Sequence, residues 1–145
     1  MGRINIVLYQ PEIPQNTGNI MRTCVATNTI LHFIEPLGFS LDEKEIKRSG
    51  ANYVKDVEYY CYPNWETFLT KNNPENIYYL TRYGQKHLYD VDVKDQSKDY
   101  YFVLGKESTG IPYDILKENF DKCSRLPMTD KVRALNVSNV AAIMM

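Results

Sequence analysis

Asparagine, glycine and arginine residues that could form a polar site gather first near the N-terminus. In the stretch "PQNTGNIMR" (14–22), Asn16, Gly18 and Asn19 precede Arg22. On a helix, Arg22 lies one turn beyond both Gly18 and Asn19, so amide groups stand beside its guanidinium. A lone helical arginine is usually an exposed surface residue, but the asparagine-rich turn favours a polar site here.

A second candidate is the stretch "FVLGKESTGI" (102–111), which begins as an apolar strand. A phosphate-binding P-loop requires G-x-x-x-x-G-K-[ST]. Here Gly105 and its lysine are followed by Glu107, and the position five before Gly105 is a tyrosine, so an NTPase is excluded. Gly105 and Gly110 allow backbone conformations that other residues resist. The stretch therefore predicts either a backbone-lined cradle for a small molecule or a simple turn from strand to helix.

The third candidate is "LPMTDKVRALNVSN" (126–139), close to the start of a predicted helix. It contains Arg133, Asn136, Ser138 and Asn139. One asparagine or serine could simply cap the helix. Two asparagines and a serine beside an arginine exceed what one cap requires, so this stretch also favours a polar site.

The elements that must position these stretches alternate between short apolar strands and helices. This alternation predicts an α/β fold with a mostly parallel sheet. Ligands of such sheets bind beyond the carboxyl ends of the strands, so the loops after Thr81, Leu104 and Leu126 are the candidate ligand loops. The predicted strands are 4–10, 30–36, 57–62, 77–81, 100–104 and 122–127. The predicted helices are one from Asn16 or Thr17, capped by those residues, to Ala26, one opened by a capping box at Ser40–Glu43 and ending near Gly50, 65–72 capped by Asn64, 112–119, and one from Asn136.

Composition describes an ordinary soluble protein of one domain. The chain has 145 residues, a net charge of −1 and a pI of about 6.1, so any nucleic-acid partner must meet a local patch. Cys24, Cys61 and Cys123 form no CxxC pair and are expected to be free thiols in a reducing compartment. Two histidines disfavour a histidine-rich metal site. With neither a signal peptide nor an apolar run of about 20 residues, we expect a cytoplasmic protein.

Together the three stretches resemble the three motifs of the SPOUT superfamily of methyltransferases, in the right order and over essentially the whole chain. "NTGNIMR" resembles the first motif, "LGKESTGIP" the second, and "LPM…VRALNVSN" the third. "YQPEIPQNTGNIMRTC" is similar to the small TrmL-type members, which methylate a ribose 2′-hydroxyl at the tRNA wobble position. The resemblance implies one domain over 1–145, a C-terminal deep trefoil knot, a homodimer with sites at its interface, and S-adenosylmethionine (SAM) as co-substrate without a metal.

The resemblance also implies a role for individual residues. Arg22 is either the base or, as its charge suggests, a group that holds a phosphate and stabilises a developing alkoxide. Glu107 is expected to orient Arg22. Position 134 is an alanine where similar enzymes often have a serine, which removes a hydroxyl contact. The reacting centre would contain Asn16, Arg22, Glu107, Asn136 and Ser138. The SAM contacts would come from Leu80, Thr81, Gly105, Leu126, Met128, Ala134 and Leu135.

The function implied is SAM-dependent 2′-O-methylation of nucleotide 34 of tRNA, either C or a modified U. Without an added RNA-binding domain, the dimer itself would recognise the anticodon stem-loop. Two alternatives stay open: methylation of another tRNA or rRNA ribose, and a non-catalytic dimer that binds SAM or RNA. The basic residues that a dimer could combine into one surface are Lys44, Lys47, Arg48, Lys55, Arg82, Lys86, His87, Lys131 and Arg133.

The last predicted helix carries an apolar stripe of Val137, Val140, Ala141 and Met144. This spacing predicts that one face of the helix is buried. Because similar chains continue this helix, we expect the natural protein to extend beyond Met145.

Overall fold

The computed structural model describes residues 2–41, 55–84, 86–129, 131 and 135–145. Within these residues the strands form one seven-stranded sheet, and all neighbouring strands are parallel. The expected α/β fold with a mostly parallel sheet is therefore confirmed. The strands are β1 (Ile4–Tyr9), β2 (Ile30–Ile34), β3 (Tyr59–Tyr62), β4 (Ile77–Leu80), β5 (Lys86–His87), β6 (Tyr100–Gly105) and β7 (Cys123–Arg125).

The strand order across the sheet is β3-β2-β1-β6-β4-β7-β5. β1 therefore lies beside β6, and β6 beside β4, although these strands are far apart in sequence. β7 lies between β4 and β5, so the connection from β4 to β5 must pass the strand between them. Because the strands are parallel, the segments that follow β1, β4, β6 and β7 all emerge at one edge of the sheet.

The first helix starts earlier in the chain than predicted. The first helix begins at Pro14, with Ile13 as its N-cap and no side-chain cap. Proline suits the first helical position because its φ is preset and its missing N–H would be unpaired there. The prediction that Asn16 or Thr17 caps this helix was wrong, since both lie within its first turn. The helices are α1 (Pro14–Thr27), α2 (Trp65–Asn72), α3 (Tyr113–Lys117) and α4 (Val137–Met144), with 3-10 turns at Leu88–Asp90 and Phe120–Lys122.

Two other sequence predictions about helices can be compared directly. Asn64 caps α2, and its side-chain oxygen accepts the backbone N–H of Thr67 at 2.8 Å, as predicted. The helix predicted from the capping box at Ser40 lies outside the described residues, as do the basic residues of 44–48, Arg133 and Ala134.

The sheet is covered on both faces, which explains why β1 and β6 read as continuous apolar runs. Ile6 and Leu8 face the layer of α1 and α4, whereas Val7 faces the layer of α2 and α3. Ala141 on α4 is fully buried in the first layer, and Val137, Val140 and Met144 pack against the same cluster. The predicted apolar face of the last helix is thus confirmed. In the described part of the chain, no helix combines the length and apolar character needed to cross a bilayer.

Candidate functional site

A cavity of about 520 Å³ opens at the edge where β4, β6 and β7 end. Three segments distant in sequence form its walls: Leu80–Tyr83 after β4, Leu104–Ile111 after β6, and Leu126 with Met128 after β7. Leu135–Val137, at the start of α4, closes it. The loops selected from the sequence therefore meet in one place, as the parallel sheet requires.

Most residues predicted to contact a cofactor lie in this cavity. Of the seven, only Ala134 is outside the described residues, so its position is not assessed. Their contact with a cofactor stays a prediction, but the structure brings them onto one surface. The predicted cofactor residues that line the cavity are Leu80, Thr81, Gly105, Leu126, Met128 and Leu135.

Gly105 occupies a position that requires glycine. Its φ is +98°, in the left-handed region, and a Cβ atom there would lie 2.7 Å from the carbonyl oxygen of Tyr9. The end of β6 therefore packs against the end of β1 more closely than any side chain would permit. Beyond it, the N–H of Gly110 donates to the Lys106 carbonyl at 2.7 Å and closes a tight turn. Every residue of the loop 105–110 lines the cavity.

Two carboxylates tie this loop to the segment before α1, an arrangement we call the carboxylate bridge. Glu107 accepts the backbone N–H groups of Glu12 at 2.8 Å and Ile13 at 3.3 Å. In return, Glu12 accepts the N–H of Ser108 at 2.9 Å and its hydroxyl at 2.7 Å. The hydrogen bonds from Ser108 hold the pKa of the Glu12 carboxyl below its usual value. The bridge fixes the start of α1, which lacks a side-chain cap, against the loop.

A second connection, the amide bridge, joins α1 to α4. The side-chain amide of Asn136 donates to the side-chain oxygen of Asn16 at 2.9 Å. The oxygen of Asn136 accepts the backbone N–H of Ser138 at 2.8 Å and also its hydroxyl. Asn16 and Asn136 both line the cavity. Three residues of the predicted reacting centre are therefore hydrogen-bonded to one another, and Asn136 also caps α4.

The remaining residues of the predicted reacting centre have different positions. Arg22 is exposed on α1, six residues beyond Asn16, and is not among the residues that line the cavity. Both oxygens of Glu107 contact the backbone before α1. Orientation of Arg22 by Glu107 stays a prediction. The role of Glu12 could not be predicted from the sequence, because its partner Ser108 lies 96 residues away.

A separate polar cluster, the histidine cluster, lies within the sheet layers. The buried imidazole of His32 shares hydrogen bonds with the hydroxyl of Tyr62 and the side-chain oxygen of Asn5, each at 2.9 Å. Asn72 donates to the same Tyr62 hydroxyl at 3.0 Å. Burial lowers the pKa of His32 to about 4, so the ring is neutral at pH 7. Among the described residues, no group of three or more histidines, cysteines or carboxylates is placed to hold a metal ion.

Comparison with known proteins gives a consistent result. The profile of the SpoU rRNA methylase family matches residues 3–145. A relative from Geobacillus stearothermophilus, provisionally named a tRNA (cytidine(34)-2′-O)-methyltransferase, is 49% identical over 141 residues, covering 97% of this chain and 90% of its own.

Solved structures with the same architecture give the same result. One described as concerning 2-OH methylation of C/U34 on tRNA is 33% identical, with a TM-score of 0.90, and covers 99% of this chain and 91% of its own. An AdoMet-bound rRNA methyltransferase from Sinorhizobium meliloti shares the fold at 20% identity and a TM-score of 0.86. That match covers 99% of this chain and 54% of the other.

Proposed function

The chain belongs to the SpoU rRNA methylase family and is a SPOUT methyltransferase, and we propose that it methylates the ribose 2′-hydroxyl of tRNA nucleotide 34 with SAM. The proposed nucleotide is C or a modified U; the relative is named for cytidine 34, and one similar structure is described as concerning C/U34. The observation that carries the proposal is the amide bridge from Asn16 to Asn136 at the wall of the cavity. It places two residues of the predicted reacting centre at the wall of the cavity that the predicted SAM-contacting residues also line.

The cavity fits SAM in size and lining. Its volume of about 520 Å³ lies within the range of small-molecule sites. Leu80, Leu126 and Met128 supply apolar walls, and the loop at Gly105 offers backbone groups at close approach. When bound, SAM supplies a cationic sulfonium with an activated methyl group. The chain's own task is to orient the acceptor and to exclude competing groups.

In this proposal the amide bridge positions the acceptor ribose. Asn16 and Asn136 hold each other through one hydrogen bond, which fixes both side chains at the cavity wall. Positioning of this kind can lower a barrier by roughly 7–11 kcal/mol in favourable cases. Arg22 holds a substrate phosphate and stabilises the negative charge that develops on the ribose oxygen. A guanidinium is almost never deprotonated in proteins, so we assign Arg22 this role and not that of a base.

The crossing at β7 supports a knotted topology. The N–H of Thr81 donates to the Ser124 carbonyl at 3.0 Å, and a Cβ atom at Gly84 would lie 2.6 Å from the backbone of Ser124. We assign this tight crossing to the trefoil knot that the resemblance implies. We further propose that the domain forms a cytoplasmic homodimer with sites at its interface, and that it binds the anticodon stem-loop.

The deciding experiment is methyl transfer from labelled SAM to total tRNA from cells that lack the modification, followed by mapping of the labelled nucleotide. We expect one methyl group on the ribose of nucleotide 34. Label on another tRNA or rRNA nucleotide would favour the first alternative substrate class. SAM binding without transfer to any RNA would favour a non-catalytic dimer.

The role of Arg22 has its own test. Arg22→Ala should abolish transfer and leave the dissociation constant for SAM nearly unchanged. Lys71→Ala, at the last turn of α2, is the matched control and should behave like wild type. Near-normal turnover of Arg22→Ala would exclude the proposed role.

A further inference from the structure

A second cavity, of about 410 Å³, adjoins the first. It lies between the loop 105–110, the end of β1 and the start of α3. The two cavities lie side by side, because Tyr83, Lys106 and Thr109–Ile111 line both. None of the residues predicted from the motifs as catalytic lines this second cavity.

Two exposed tyrosines stand at this second cavity. Tyr113 is 64% exposed and Tyr83 is 60% exposed, more than any other large apolar side chain in the described part of the chain. The guanidinium of Arg82 lies 5.0 Å from the centre of the Tyr83 ring and donates to its hydroxyl at 2.8 Å. Tyr113 rests edge-on against Phe120, with ring centres 6.1 Å apart. Both rings are thus supported by neighbours and still open to solvent.

The turn that carries Tyr83 is held in place by several contacts. The backbone N–H of Tyr83 donates to the Thr81 hydroxyl at 3.2 Å, and the N–H of Gly84 donates to the Thr81 carbonyl at 3.1 Å. Gly84 packs so closely on Ser124 that no side chain would fit there. A ring held in this way loses little conformational freedom when it binds a flat partner.

The charge of the second cavity suits an anionic partner. Lys106 is the one ionised side chain among its described lining residues, and no carboxylate lines it there. The ammonium of Lys106 is held by the side-chain oxygen of Gln10 at 3.3 Å. Arg82, which contacts the Tyr83 ring, lines the first cavity. This local positive charge contrasts with a whole chain of net charge −1.

We propose that the second cavity binds an unpaired nucleobase of the RNA substrate, stacked against Tyr113 and Tyr83, with a neighbouring phosphate at Lys106. Single-stranded RNA is recognised mainly by stacking of bases on aromatic side chains beside cationic groups. The inference rests on the proposed function, in that it requires an RNA substrate. In this arrangement the acceptor ribose occupies the first cavity, and a base from the same RNA loop occupies the second.

The test uses an anticodon stem-loop RNA that carries 2-aminopurine at single unpaired positions, because stacking quenches this fluorescent base. We expect quenching at one loop position with wild-type protein. Tyr113→Ala should remove that quenching and weaken RNA binding about ten-fold, the usual size of one stacking contact. Tyr113→Phe keeps the ring and should keep both signals, and Tyr83→Ala should weaken quenching at the same position.

The controls separate this inference from the proposed function. Tyr60→Ala removes a tyrosine that is 48% exposed on β3 and lines neither cavity, so it should change neither the quenching nor the RNA affinity. If wild type methylates RNA while Tyr113→Ala quenches and binds like wild type, the base site is wrong and the proposed function stands. If wild type neither binds nor methylates any RNA, both fail. If Tyr113→Ala instead dissociates a dimer at sedimentation equilibrium, a second copy covers the cavity and the base site is overturned.

Discussion

The bridges at the cavity and the histidine cluster are both built from polar side chains around β1. They differ in where their hydrogen bonds lie. The carboxylate and amide bridges link residues 94 to 120 positions apart and lie at the wall of a cavity. The histidine cluster links β1, β2 and β3 inside the protein, and aromatic rings surround it. The polar groups of the bridges border a cavity that a ligand can enter, whereas those of the histidine cluster are buried and paired with one another.

Because of this difference, we expect the histidine cluster to govern stability and the cavity to govern activity. A buried polar group must be paired, so loss of one partner in the histidine cluster destabilises the fold. A group at the cavity wall can exchange its protein partner for water or substrate at lower cost. Substitutions at the cavity should therefore change binding and turnover, and perturbations of the histidine cluster should change the free energy of unfolding.

The largest effect is expected for Gly105→Ala, which should abolish the cofactor site. Its Cβ atom would lie 2.7 Å from the Tyr9 carbonyl in a backbone conformation that already excludes side chains. Strain of about 1–3 kcal/mol adds to that clash. We expect the SAM affinity to fall roughly a thousandfold, or about 4 kcal/mol, by calorimetry.

Gly110→Ala is the matched control for that clash. Gly110 also has a positive φ, of +76°, but no atom lies within 4 Å of its would-be Cβ. The Gly110→Ala variant should suffer only the backbone strain, so it should lose distinctly less SAM affinity than Gly105→Ala. Equal losses in the two variants would show that the close approach of β6 to β1 does not shape the site.

Acid should weaken the fold through the histidine cluster. The folded pKa of His32 is about 4, against about 6.5 when unfolded. Between these pH values the unfolded chain binds a proton that the folded chain does not bind. The free energy of unfolding therefore falls as pH drops from 6.5 towards 4. Urea denaturation at pH 7 and pH 4.5 should show a loss of about 2 kcal/mol in the free energy of unfolding.

His32→Gln tests whether this residue is the cause. The amide of glutamine can hydrogen-bond but does not titrate. The variant should be less stable than wild type at pH 7, yet its stability should depend less on pH between 6.5 and 4.5. An unchanged pH dependence would assign the acid sensitivity to other groups.

Asn16→Ala should act on turnover more than on stability. The change leaves the amide of Asn136 without its partner, which costs about 1–3 kcal/mol where no water replaces it. We expect kcat for methyl transfer to fall roughly 10- to 30-fold with little change in SAM affinity. Gln15→Ala, at an exposed amide side chain of the same helix, is the control and should retain turnover. A parallel loss in both variants would argue against the amide bridge.

The sequence alone predicted the residues that line the cavity better than the hydrogen bonds that hold its walls together. Apolar runs identified the longer strands, and motif resemblance selected Asn16 and Asn136, because both signals are local. β5 was missed since two residues carry no periodicity. The contact between Glu12 and Ser108 was missed since it depends on β1 lying beside β6. The start of α1 was misplaced because Pro14, and not an asparagine cap, sets it.

The smallest expected effect tests the comparison from the side of the histidine cluster. Asn64 caps α2 by accepting the N–H of Thr67 at 2.8 Å and its hydroxyl at 2.7 Å. The same helix places Phe68 against the His32 ring, with ring centres 5.5 Å apart. Asn64→Ala removes both hydrogen bonds and should lower the free energy of unfolding by about 1 kcal/mol. Asn64→Asp keeps an acceptor and should recover most of that loss. Because α2 lies outside the cavity wall, kcat and KM for methyl transfer should match wild type in both variants. A change in either constant, at a temperature where the protein stays folded, would mean that the α2 layer is coupled to the cavity and that the two regions are not separate.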